Sequence, residues 1–125
     1  MLVVYRLIGI LYIVSGCWCA FRLDLAADFL GVQCYSEGGR AEFFAVYCGL
    51  QVGLGLAFLL SSFKSVYLEA SMYFSAIFSS LLALFRLVSL FVFGFIGSLV
   101  VMFVLEVLIA SFLWFFWFKT KQLNR

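Results

Sequence analysis

From Ala70 to Phe118 the chain carries only two charged side chains, Arg86 and Glu106. As one straight helix this stretch would run roughly 70 Å at 1.5 Å per residue, more than twice the ~30 Å hydrocarbon core of a bilayer. It must turn back on itself, and Gly94 and Gly97 mark the place. Apolar runs of the same kind fill most of the first half. The sequence therefore predicts an all-α integral membrane four-helix bundle. The expected spans are about 2–21, 42–63, 66–87 and 95–118, in a single domain covering 1–125.

Composition supports this reading. Charged residues make up 11% of the chain and hydrophobic ones 67%, with a mean hydropathy of +1.22. A soluble domain carries about 25% charged residues because its surface faces water. A surface this apolar faces lipid, where every backbone polar group must be satisfied internally, which leaves helices or closed barrels. Barrel strands alternate in polarity, and no such alternation is present. Proline is absent, so no helix is kinked by a missing donor.

Lysine and arginine set the expected orientation. With both termini inside, the inner side holds Arg6, Lys64, Lys119, Lys121 and Arg125. The outer side holds Arg22, Arg40 and, if it reaches the surface, Arg86. The run Trp114-Phe115-Phe116-Trp117-Phe118 ahead of Lys119 reads as an interfacial anchor. The loop 22–41 is the one sizeable segment outside the spans. Its first half, 23–30, is expected to form a short helix on the interface, and Ser36-Glu37-Gly38-Gly39-Arg40 a turn. Val14-Ser15-Gly16-Cys17, behind Arg6 and an apolar run, also fits the pattern preceding a lipidated cysteine. The plainer expectation is that this segment is a retained span.

The polar groups inside the spans narrow the chemistry. Charges deep in a span cost at least about 2.5–3.5 kcal/mol on insertion scales and usually face the bundle interior. Arg86 lies eight residues before Gly94 and Glu106 twelve after, an axial offset of about 6 Å that long side chains can close. An Arg86–Glu106 ion pair is expected, either fixing helix register or forming part of a ligand site. Gln51, in the second span, needs hydrogen-bond partners in hydrocarbon. It serves either as an interhelical bond or as part of a polar pocket. Together Gln51, Arg86 and Glu106 form the candidate ligand-binding set.

Ala45, Gly49, Gly53 and Ala57 recur every four residues, a small-residue seam that lets another helix approach closely. It is expected to pack against the first span, with a dimer seam as the alternative. Cys17, Cys19, Cys34 and Cys48 all fall toward the outer half, a setting compatible with redox chemistry. No C-x-x-C is present, and cysteine also serves as a small buried filler.

Several classes are excluded. The chain lacks histidine, so it has no imidazole base or ligand. It has no nucleophile triad and no phosphate-cradling glycine loop. No metal or cofactor is expected. A net charge of +2 is too small to suggest nucleic acid.

The stretch from Arg40 to Leu56 resembles the signature of a bacterial family, domain of unknown function 4345. That signature reads arginine–alanine–x–tyrosine–glycine–glycine–x–x–x–glycine–leucine–glycine, and Cys48 stands here at the first glycine. The family's arginine late in span three and glutamate in span four match Arg86 and Glu106. More remotely, Arg6-Leu7-Ile8-Gly9 and Ser15-Gly16 resemble the opening helix of DoxX-like membrane proteins. The resemblance implies a four-helix bacterial inner-membrane protein and no particular activity. The expected function is a non-enzymatic accessory subunit or a binder of a lipid or other hydrophobic molecule. Its partners would be membrane lipids and either another membrane protein or further copies of itself. The alternatives are a thiol- or quinone-linked redox protein using the outer cysteines, and a small oligomeric transporter.

Overall fold

The computed structural model describes residues 2–95 and 97–123. Among these the chain is all-α, with helices α1 (Leu2–Phe21), α2 (Leu23–Leu30), α3 (Glu37–Ser61), α4 (Ser65–Phe93) and α5 (Gly97–Leu123). All but α2 are long and apolar enough to cross a membrane. The contacts divide the chain into two compact units, one ending at Lys64 and the other starting at Ser65.

In the first unit α1 packs along α3. Its buried face carries Tyr5, Ile8, Gly9, Gly16 and Cys19, a spacing of threes and fours that keeps side chains on one face. Glycines let the two backbones nearly touch. A Cβ on Gly55 would lie 2.5 Å from the Gly9 carbonyl oxygen and 2.8 Å from the Ile13 nitrogen. One on Gly16 would lie 2.8 Å from the Cys48 carbonyl oxygen. Beside this contact the Tyr5 and Phe58 rings stack with centroids 5.1 Å apart, and Tyr12 meets Phe58 edge-on at 5.7 Å. At the N-terminal end of α1, Arg6 donates from Nε to Ser62 Oγ at 2.9 Å, and its guanidinium sits 4.6 Å from the Phe63 ring centroid.

The expected seam is not the one used. Ala45, Gly49, Gly53 and Ala57 are exposed, and a Cβ on Gly53 would meet nothing within 4 Å. Gly53 and Gly55 are two residues apart, about 200° around a helix of 3.6 residues per turn, so only one of the two faces can meet α1. The Gly55 face also carries Phe58 and Cys48, whose burial in aromatic and thiol contacts outweighs what a bare glycine–alanine stripe offers.

Between α1 and α3, α2 forms as expected. It ends on Gly31 at φ 71°, a left-handed turn in which Val32 N–H donates to the Ala27 carbonyl and Gly31 N–H to that of Asp28, closing the helix's free carbonyls. The expected turn 36–40 is instead the start of α3. Ser36 is extended and its Oγ accepts from Gly39 N–H at 3.1 Å. An N-cap serine and an acid in the first turn offset the ~1 kcal/mol cost of each helical glycine. Six residues, Phe44–Gly49, are wound as a π-helix inside α3.

In the second unit α4 and α5 form a helical pair, with the chain reversing at Gly94, φ 102°. The α4 face that meets α5 carries Met72, Ser75, Ala76, Ser79, Ala83 and Leu90, all buried. Opposite stand Ala110, Leu113 and Phe116, also buried. Small residues on α4 receive the larger ones on α5, the interlocking that drives helix association in lipid. Trp114 Nε1 donates to Ser80 Oγ at 2.9 Å, tying the two helices near their apolar middle. The third span is longer than the expected 66–87, because the glycine that permits reversal lies at 94 and nothing before it interrupts the helix.

Candidate functional site

Arg86 and Glu106 meet as the spacing predicts. Arg86 Nη2 lies 2.7 Å from Glu106 Oε1, and Arg86 Nε lies 2.9 and 2.8 Å from the two carboxylate oxygens. The side chains are 23% and 12% exposed, so the pair is largely withdrawn into the helix contact. Arg86 falls in the same three-four repeat as Ala83 and Leu90, and Glu106 in that of Ala110 and Leu113, which aims both at the shared seam. The guanidinium engages both carboxylate oxygens, so each charge is matched by the other inside the seam.

Gln51, the third member of the expected set, belongs to the first unit. Its Oε1 is buried and accepts no hydrogen bond among the described residues. Ser79 Oγ, in the second unit, is likewise buried without a partner.

All four cysteines are free thiols. Cys19 at the end of α1 and Cys48 in the π-helical segment lie in one buried cluster with Ala26, Ala27 and Phe43. Cys48 Sγ donates to the Phe43 carbonyl at 3.9 Å, and Cys34 packs against the same cluster. Cys17, two residues from Cys19 and so on nearly the opposite side of α1, is half-buried. Among the described residues no three carboxylates or thiols are grouped to hold a metal.

A further opening lies elsewhere, on residues that the sequence does not single out. On the second unit a groove of about 330 Å³ is lined by Val66, Glu69, Ala70, Tyr73 and Trp117. Val66, Glu69, Ala70 and Tyr73 follow the three-four spacing of one α4 face, and Trp117 arrives from α5. Tyr73 and Trp117 rings pack with centroids 4.9 Å apart, and Trp114 meets both edge-on, Tyr73 at 5.9 Å and Trp117 at 5.5 Å. Lys121, one turn beyond Trp117, holds its Nζ 4.8 Å from that ring's centroid. The signal available in the sequence was Glu69, an acid within the otherwise uncharged α4 before Arg86, followed four residues later by Tyr73.

No family model matches the chain, and neither a curated protein nor a solved structure matches it.

Proposed function

We propose that this chain is a non-enzymatic, multi-pass protein of a bacterial inner membrane that binds a phospholipid in the groove of its second unit. The observation that carries the proposal is the groove itself: an apolar trough with aromatic walls and one acid, flanked by a lysine. Tyrosine and tryptophan with lysine beside them are the composition of a membrane–water interface. Small-molecule sites are typically apolar concavities with a few placed polar groups. The Arg86–Glu106 pair is read as structural, because each charge is matched by the other across the α4–α5 seam.

The orientation consistent with this site has both termini in the cytoplasm. Arg6, Lys64, Lys119 and Lys121 then share the inner side, and Arg86, committed to Glu106, drops out of the outer count. The likeness of residues 40–56 to domain of unknown function 4345 favours a bacterial origin. Lipid binding would suit an accessory subunit that stabilises a larger membrane assembly.

Mass spectrometry of the protein released from detergent tests the lipid reading. One phospholipid retained through delipidation is expected, and Ala70→Phe, which fills the groove from an exposed position, should abolish it. Equal lipid retention by Ala70→Phe would overturn it.

A second reading rests on Cys19 and Cys48 lying together in one buried cluster. Their joining as a disulfide releases two protons and two electrons, which a membrane quinone would take up to become the hydroquinone.

A further inference from the structure

The groove of the second unit holds an acid that has nothing to bind. Glu69 is partly buried, and among the described residues it makes no ion pair and accepts no hydrogen bond. A carboxylate is an acceptor only, with room for about four donors. Around it stand Val66, Ala70 and the rings of Tyr73 and Trp117. The fitting occupant is a cation rich in donors that is carried on an apolar body.

We propose that the groove takes the head group of an aminophospholipid, its primary ammonium on the Glu69 carboxylate and its phosphate beside Lys121. This rests on the lipid reading above and adds the identity of the head group.

The sign of the ligand follows from Glu69, which among the described residues lining the groove is the one that is charged. The kind of cation follows from the rings. A quaternary ammonium is held by open aromatic faces. Here the Trp117 face already carries Lys121 Nζ, and Tyr73 is packed against both Trp114 and Trp117. The free recognition element is the carboxylate, which rewards a cation able to donate hydrogen bonds. A primary ammonium has three such donors, and a quaternary one has none. Charge-assisted bonds of this type are about twice as strong as neutral ones.

A lipid, and not a free amine, follows from the surroundings. Lys119 and Lys121 follow in the last turns of α5, with Nζ atoms 5.9 Å from the Phe115 centroid and 4.8 Å from that of Trp117. A cation on the rim beside an acid in the trough matches a zwitterion of phosphate and ammonium. A free amine would leave the lysine unmatched and the apolar walls uncovered.

The test is a titration of the full chain in detergent with short-chain phosphatidylethanolamine, phosphatidylcholine and phosphatidylglycerol, read by native mass spectrometry, with ethanolamine alone as a fourth ligand. Saturable binding of phosphatidylethanolamine is expected, roughly tenfold tighter than the other two lipids, as one charge-assisted hydrogen bond allows. Glu69→Gln, nearly isosteric, should erase that preference, and Glu69→Asp should keep part of it. Saturable binding without preference, or a preference that survives Glu69→Gln, overturns amine recognition and leaves the lipid site standing. No saturable binding of any lipid overturns both. Ethanolamine alone binding as tightly as the lipid replaces the phospholipid with a free amine and overturns the head-group assignment.

Discussion

Arg86 grips Glu106 through two nitrogens, with Nε and Nη2 2.7–2.9 Å from the carboxylate oxygens, across the seam of α4 and α5. Two charges placed in helices this apolar are costly unless they find each other. Their residues are twenty apart in sequence, and only the reversal at Gly94 brings them together.

Breaking one side of this pair should hurt more than removing both. Glu106→Gln leaves a guanidinium in the seam without its counter-charge, and a loss of about 3–5 kcal/mol is expected for stranding a buried partner. The double change Arg86→Met with Glu106→Leu should recover much of that loss, because apolar replacements of buried pairs are often neutral. Thermal unfolding in detergent measures both. A double variant as unstable as the single one would show that the pair does more than fix register.

The two glycine faces of α3 predict opposite responses. Gly55→Ala puts a methyl 2.5 Å from the Gly9 carbonyl oxygen and should force α1 and α3 apart, lowering the melting temperature. Gly53→Ala meets nothing, and should raise stability by roughly 0.5–1 kcal/mol through the helix preference of alanine. Equal destabilisation by both would mean that the outward stripe is itself a packing face against another chain.

The buried thiol pair should be the first to oxidise to a disulfide. Mild catalytic oxidation followed by peptide mapping is expected to recover a Cys19–Cys48 linkage, and Cys19→Ala should prevent it. A protein that keeps all four thiols free under oxidation, or one that links only Cys17 or Cys34, would end the redox reading.

The orientation can be read independently of any ligand. A thiol reagent that enters the periplasm but does not cross the inner membrane should, in intact cells, label Cys34, which lies between α2 and α3 on the proposed outer side and is only partly buried. A reporter fused behind Lys121 should stay cytoplasmic. Protection of Cys34 together with an exported reporter would invert the topology.

The helices and the ion pair were legible because both follow from periodicity and cost. A run from Ala70 to Phe118 with two charges must fold back, and its charges must meet. The seam was not legible, because spacing alone offers two glycine faces on α3. The choice between them depends on what α1 presents, namely Gly9, Gly16 and the Tyr5 ring that stacks on Phe58. The start of α3 was misread as a turn for a similar reason. Gly38 and Gly39 disfavour a helix locally, and the Ser36 cap joined to a long apolar helix outweighs them.

The sequence by itself determined the class of fold, four apolar helices, because transfer of charge and of unpaired backbone into hydrocarbon is too costly to permit another. Only the tertiary structure decided which faces meet. It turned the glycine stripe outward, brought Cys19 to Cys48, and set Trp117 beside Glu69 and Tyr73 in one groove. Such contacts depend on complementary shapes between helices distant in the chain, and residue spacing within one helix carries no record of its partner.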